Sequence, residues 1–523
     1  MLDRPDKFIL IILDGLGLRD AQENNAFRLA RTPTFNRLFK ECPWSTLDAS
    51  QQAVGLPGGV IGNSEVGHMT IGAGRVLRHD LVRINDSIVD NTFKDKDEIK
   101  NILAYVKGKG SSLHLLGLVS DGGVHSHLSH IPPLVKCAKD ADLKQVFLHA
   151  ITDGRDTSPY GGVDYVREIE RMLSEMGIGQ IATVIGRYHA MDRDGRWERT
   201  ERAYRMFVSG EGKKANSAGE VIEKSYSAGV TDEFIEPISI SDNGDELHPI
   251  TPDDAVLCFN FRADRMRQIC SALGSKDFSQ FSRLQSPVRL TSMTVYDDNF
   301  DFPVIFDSQR IEMKFGQVLA QADLRQLRVA ETEKYAHVTY FLNGGDEDPY
   351  DAEERVLIPS PKVAAYNLQP EMSAYGIRDV VVKAIDDDSC DAIVMNLANT
   401  DMVGHTGDLN ATIRAAEVVD EVLGNVLDMV TSKRMIAFVT ADHGNCEVMV
   451  NQETKRKHTA HTLNPVPFIL VNGASDMHLR TKGSLSDVAP TIFDAVRLKV
   501  PSEMTGKSLL EICLLYTSDA ADE

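Results

Sequence analysis

Along this chain, continuous apolar runs of five to seven residues end on charged or glycine-rich tips, and stretches with helical spacing follow them. The first run, Phe8-Ile9-Leu10-Ile11-Ile12-Leu13, stops at Asp14-Gly15. Unbroken branched residues predict a strand covered on both faces, as in a parallel sheet. The carboxylate then falls at the strand's C-terminal end, where open α/β sheets place their ligands, although Asp before Gly is also an ordinary turn former. Residues 25–39 have helical spacing and lead to a glycine-rich loop around Ser64.

Between about residues 80 and 311 the alternation repeats. Runs at 113–119, 146–151, 181–185 and 255–259 each precede a polar tip. Such repetition predicts βαβ units and a second doubly wound domain. Residues 241–254 are acidic and rich in turn formers, which predicts a surface loop. From residue 314 the chain reads as a return to the first domain: a strand at 335–342, a helix at 374–385, and buried strands at 392–397, 435–440 and 468–471. The fold class is therefore α/β with two doubly wound domains, the middle one inserted into a discontinuous one. Boundaries fall at 1–79 with 312–512 for the outer domain and 80–311 for the insert.

Length and composition agree with two cores: 523 residues, 42% of them hydrophobic. A formal charge of -21 argues against nucleic acid or an anionic membrane as partner, so an anionic substrate needs a local arginine cluster. The seven cysteines are scattered and form no C-x-x-C pair, which fits a reducing cytosol better than a disulfide framework. No targeting segment is evident, since the run at 8–13 is too short for a membrane span or signal core. The expectation is a cytoplasmic monomer acting on a small molecule.

Chemistry concentrates in three sets. Ser64 sits in Gly62-Asn63-Ser64-Glu65-Val66-Gly67-His68, a loop able to expose one hydroxyl. Asp14, Asp401, His405, Asp442, His443 and His461 are metal-type ligands; carboxylates mixed with imidazoles and no thiolate suit Mn²⁺, Zn²⁺ or Fe²⁺ better than Ca²⁺. Two such ions would clamp the attacking and leaving oxygens of a phosphoryl transfer. Arg155, Arg187, Arg193, Arg262 and Arg265 fall at or just past the strand ends of the insert, with Arg262 and Arg265 placed to face one anion from a helix start. Guanidinium forks match phosphate and carboxylate; with Asp156, Asp192, Asp194 and Asp264 close in sequence, plain surface ion pairing is the alternative.

These residues stand in motifs that closely resemble those of the cofactor-independent phosphoglycerate mutases of the alkaline phosphatase superfamily, from about residue 7 to 510. The motifs are Leu13-Asp14-Gly15-Leu16-Gly17, the Ser64 loop, Ser120-Asp121-Gly122-Gly123-Val124-His125-Ser126-His127, Asp153-Gly154-Arg155-Asp156, Asn260-Phe261-Arg262-Ala263-Asp264-Arg265, Glu331-Thr332-Glu333-Lys334-Tyr335, Asn399-Thr400-Asp401-Met402-Val403-Gly404-His405 and Thr440-Ala441-Asp442-His443-Gly444-Asn445. The resemblance implies an alkaline-phosphatase-like domain split around an inserted transferase domain, with two Mn²⁺ ions in the cleft between them and domain closure to exclude water. It makes Ser64 the nucleophile that becomes phosphoserine. Asp401, His405 and His461 would hold one metal, and Asp14, Ser64, Asp442 and His443 the other, leaving His458 a bystander. Substrate contacts would be His125, Arg155, Asp156, Arg187, Arg193, Arg262, Arg265 and Lys334, with Asp156 as general acid/base and Lys334 offsetting charge on the transferred group. The implied reaction interconverts 3- and 2-phosphoglycerate.

A metal-dependent phosphatase or phosphopentomutase of the same superfamily would share Ser64 and the metal ligands but not this arginine set. A non-enzymatic anion binder would have no use for the nucleophile. Arg78-His79-Asp80 resembles the Arg-His-Gly of the unrelated bisphosphoglycerate-dependent mutases without its glycine, so His79 is taken as an ordinary residue. Residues 513–523 run past the point where the resemblance ends and are read as a non-native tail.

Overall fold

The computed structural model describes residues 6–241, 247–309, 311–451 and 454–512. The expected non-native tail and residues 242–246 of the acidic loop lie outside the described residues. Two compact units divide the chain: one drawn from Met1–Arg78 and Arg310–Glu523, the other from His79–Gln309.

The first unit is built on an eight-stranded sheet in the order Glu353–Ile358, Gln326–Glu331, Ala392–Leu397, Phe8–Leu13, Ile436–Thr440, Val466–Val471, Trp44–Asp48, Lys482–Ser484. Only Val466–Val471 runs antiparallel to its neighbours. Phe8–Leu13 is central and wholly buried, as its unbroken apolar run requires. Helices such as Leu409–Ser432 and Val488–Ala495 pack their apolar stripes on the sheet in one large core.

The second unit carries another eight-stranded sheet, in the order Val304–Phe306, Arg289–Thr294, Ala255–Cys258, Leu113–Leu118, Val146–Thr152, Gln180–Gly186, Ile238–Ile240, Lys213–Ala215. The last two strands run against the other six. Successive side chains feed two separate apolar layers. Leu113 and Leu115 join the layer that includes Ile102 and Leu134, whereas Leu116 and Leu118 join that of Phe207 and Ile269. Alternation into two covered faces is what a doubly wound sheet demands.

Three local expectations need correction. Residues 335–342 are not a strand: a short 3₁₀ turn at Thr332–Lys334 leads into the π-helical turn His337–Phe341. Val338, Thr339, Tyr340 and Phe341 have β-type side chains, but the buried apolar side chains are Val338 and Leu342, spaced for one helical face. The stretch 25–39 forms two helices, Ala26–Leu29 and Pro33–Glu41, because Pro33 starts a new helix and disfavours helical backbone at Thr32. Arg262 and Arg265 precede the helix Arg267–Gly274 in an irregular loop and do not begin it. In the acidic loop, Ile250 and Asp254 are buried. No helix among the described residues is long and apolar enough to cross a membrane.

Candidate active site

Four neighbouring parallel strands of the first sheet deliver the chemistry of that unit at their carboxyl ends. Asp14 follows Phe8–Leu13, Lys334 follows Gln326–Glu331, Asp401 lies on the helix Asn399–Gly404 after Ala392–Leu397, and Asp442-His443 follow Ile436–Thr440. Ser64 begins the helix Ser64–Ala73, where the Asn63 side chain accepts the Val66 N–H at 2.9 Å. Unpaired N–H groups and the helix dipole make that end suited to an anion. Gly67 leaves room for Asp442: a Cβ there would lie 2.6 Å from the Asp442 carbonyl oxygen.

Ser64 is buried, and its Oγ is the meeting point of the site. Lys334 Nζ donates to it at 2.7 Å, His443 Nε2 lies at 2.9 Å, and Asp14 Oδ1 lies at 3.2 Å. Lys334 also reaches Asp14 Oδ1 at 2.6 Å and Asp401 Oδ2 at 2.7 Å. Burial would lower the lysine's pKa, but Asp14, Asp401 and Asp442 raise it, so it is a fixed cation. Burial and the neighbouring Asp442 push Asp14 up. Asp401 is held well below the usual carboxylate range because Lys334, His405 and His461 outweigh the effect of its burial.

The imidazoles show what the site is built to receive. His405 Nδ1 donates to the Thr459 carbonyl at 2.7 Å and His461 Nδ1 to the Gly62 carbonyl at 2.8 Å. A carbonyl only accepts, so in the neutral rings both Nε2 atoms present lone pairs. They face each other at 3.1 Å and face Asp401 Oδ1 at 3.1 and 3.2 Å. Three acceptors converging this way require a proton or a metal cation among them, and Asp401, His405 and His461 fit a metal by donor chemistry as well as by spacing. Asp401's hydrogen bond raises the pKa of His405; at His461 burial lowers it, but the hydrogen bond and charge of Asp401, with the Gly62 carbonyl, together raise it.

Asp14, Asp442 and His443 adjoin this group. His443 Nδ1 faces the Gly444 carbonyl at 3.3 Å, leaving Nε2 toward Ser64 and 3.5 Å from both Asp14 and Asp442. His68, which the sequence reading did not single out, also groups with Asp14 and Asp442. Its Nε2 accepts from Asn396 at 3.1 Å, so the hydrogen is on Nδ1, 2.9 Å from the Ser64 carbonyl and 3.2 Å from Asp442 Oδ2. With no free lone pair, His68 orients Asp442. Asn396 also donates to Asp14 Oδ2 at 2.8 Å and Asn445 to Asp401 Oδ1 at 2.8 Å. Both were missed, their motifs offering only proximity in sequence as a signal. His458 bonds to the Val448 carbonyl instead.

In the second unit the strand ends hold the expected cations. Arg187 is buried and donates to both Asp153 Oδ1 and Asp156 Oδ2 at 2.6 Å. His125 stands 3.8 Å from Asp156 and 3.6 Å from Asp264. Its pKa is pushed down to about 4 by burial and by Arg187, so it is neutral. Asp264 gathers Arg193 at 2.8 Å and Arg262 at 3.2 Å. Arg265 donates to the Met191 carbonyl at 3.0 Å, and its pKa is lowered by burial and by Arg187, Arg193 and Arg155. A guanidinium whose pKa is lowered by neighbouring cations stands in local positive charge that an anion would relieve. Arg155 is half exposed, 3.8 Å from Glu233. His79 caps the helix Asp80–Val89, taking the Leu81 N–H on its ring.

Fold and site together define an α/β enzyme with its chemistry at sheet carboxyl ends. Residues 84–298 match the family model for the N-terminus of BPG-independent PGAM. The chain is 48% identical to the 2,3-bisphosphoglycerate-independent phosphoglycerate mutase of Clostridium novyi (strain NT), covering 96% of this chain and 99% of that one. It is 50% identical to that of Symbiobacterium thermophilum over 96% and 97%. A crystal structure of Leishmania mexicana phosphoglycerate mutase at low cobalt concentration superposes with a TM-score of 0.64 at 30% identity, covering 98% and 99%. The chain belongs to the 2,3-bisphosphoglycerate-independent phosphoglycerate mutases.

Proposed function

We propose that this chain is an isomerase that interconverts 3- and 2-phosphoglycerate without 2,3-bisphosphoglycerate, by way of phosphoserine at Ser64. Relatives of that name at up to half identity over nearly the whole chain support the reaction. The observation that carries the route is the Ser64 hydroxyl, buried among Lys334, His443 and Asp14. The outer unit is then the phosphatase-like domain and the inserted unit the substrate-binding transferase domain.

Asp401, His405 and His461 would hold one metal, and Asp14, Ser64, Asp442 and His443 the other; Mn²⁺ suits this oxygen and imidazole set. When bound, the metals supply Lewis acidity toward the serine and phosphoryl oxygens. Ser64, its hydroxyl proton released to solvent beforehand, attacks phosphorus in line as the alkoxide, and the P–O bond to the glycerate oxygen breaks. Lys334 offsets negative charge on the phosphoryl group. Asp156 gives a proton to the departing oxygen. Arg187, Arg193, Arg262, Arg265 and Arg155 retain the glycerate through its carboxylate, while neutral His125 offers hydrogen bonds without adding charge. Asp156 then takes the proton of the other hydroxyl, whose oxygen attacks phosphoserine and frees Ser64. The six described cysteines are all free, which supports the reading of a cytoplasmic enzyme; we read it as a monomer.

The arginine set favours this reaction over simple phosphate hydrolysis, because hydrolysis has no need to keep the alcohol. Rapid quenching with phosphate-labelled 3-phosphoglycerate tests the route. Label should map to Ser64 in the wild type, whereas label on a histidine, or none, would refute it.

A further inference from the structure

Behind the donor groups lies a buried carboxylate that the reaction does not use. Glu447 is fully buried, and among the described residues no cation pairs with its carboxylate. Its Oε2 accepts the Gly17 N–H at 3.1 Å and the Asn445 N–H at 2.9 Å. Its Oε1 accepts from the Thr462 hydroxyl and from Asn464 Nδ2 at 2.9 Å. Thr462 Oγ1 itself accepts the Asn464 N–H at 3.2 Å, which leaves its proton for Glu447. Four donors therefore converge on one side chain, and only a carboxylate has acceptor sites for all four.

Those donors belong to three loops. Gly17 lies three residues after Asp14; Asn445 follows Asp442-His443 and holds Asp401 through Nδ2; Thr462 follows His461. Glycines let the loops close on the carboxylate: a Cβ on Gly17 would stand 2.5 Å from Glu447 Oε1, and one on Gly444 would stand 2.5 Å from the same atom. Arg19 adds a hydrogen bond to the Glu447 carbonyl at 3.1 Å.

We infer that Glu447 is a positioning residue, a clamp that holds three loops in register so that both metal-ligand groups are set before metal arrives. The inference rests on the metal reading given above. Partners behind the ligands typically change metal affinity about 10- to 100-fold. Gln is not a conservative replacement, since its NH₂ must point at two donors.

Calorimetric titration of metal-stripped protein with Mn²⁺ tests this, alongside denaturant unfolding of the same metal-free samples. E447Q should bind about 10- to 100-fold more weakly, with the loss larger than any shift in metal-free unfolding midpoint explains. N464A, which removes one of the four donors and touches no ligand, should show a smaller loss in the same direction. Wild-type affinity in E447Q would overturn the clamp. Should E447Q fail to fold, unchanged affinity in N464A would overturn it instead. If wild-type protein itself binds no Mn²⁺, the metal reading fails and the clamp with it; a failure confined to the clamp leaves wild-type binding intact.

Discussion

Lys334 Nζ lies 2.7 Å from Ser64 Oγ and bridges Asp14 and Asp401, one carboxylate from each candidate metal group. A single buried ammonium thus compensates two buried carboxylates and touches the nucleophile. Removing one member of a buried charge group typically costs about 3–5 kcal/mol. K334M should therefore destabilise metal-free protein by that order and recover much of the loss when Mn²⁺ is added, read by denaturant unfolding with and without metal. Equal stability of the metal-free forms would show that the ammonium does not carry this balance.

Asp156 is assigned both proton transfers. General acid/base groups contribute about 10²- to 10⁴-fold, so D156N should lower kcat by that factor while KM for 3-phosphoglycerate moves little. Steady-state kinetics decide the point, and a kcat equal to wild type would remove Asp156 from the proton transfers.

Among the described residues Arg265 pairs with no carboxylate directly, and it is crowded by Arg187, Arg193 and Arg155. A charge-assisted hydrogen bond is worth roughly 1.5–3 kcal/mol, so R265A should raise KM about 10- to 100-fold and increase free phosphate released per turnover. Unchanged KM would place the substrate carboxylate elsewhere.

Much of this arrangement was legible because buried parallel strands are written as continuous apolar runs, as in Phe8–Leu13 and Ala392–Leu397. Gln326–Glu331 was not, since a fully buried strand there carries Gln326, Arg328 and Glu331. Arg328 is tolerated through its bond to Gln326 at 2.7 Å and its place over the Phe315 ring, contacts that no local pattern announces. The residue types of the site were legible from their motifs. The orienting roles of His68, Asn396 and Glu447 were not, because each depends on hydrogen bonds between segments hundreds of residues apart.

His130 gives a pH prediction. It is buried, 2.9 Å from Asn85 Oδ1, and burial pushes its pKa down from 6.5 to about 3. Between those values the unfolded chain binds the proton and the folded chain does not, so stability is complete above about pH 6.5 and is lost as pH falls toward 3. H130N should flatten the fall in unfolding midpoint between roughly pH 6.5 and pH 5, measured by denaturant titration at each pH. A slope identical to wild type would assign the acid sensitivity to other groups.

The central claim is that Ser64 carries the phosphoryl group between two positions of a retained glycerate. Its most direct test is a coupled assay of 2-phosphoglycerate formed from 3-phosphoglycerate with Mn²⁺ and no 2,3-bisphosphoglycerate, with free phosphate followed in parallel. Isomerisation with little phosphate release, abolished by S64A and by chelator, is the predicted result. Isomerisation that survives in S64A, or phosphate release without isomerisation in the wild type, would contradict it.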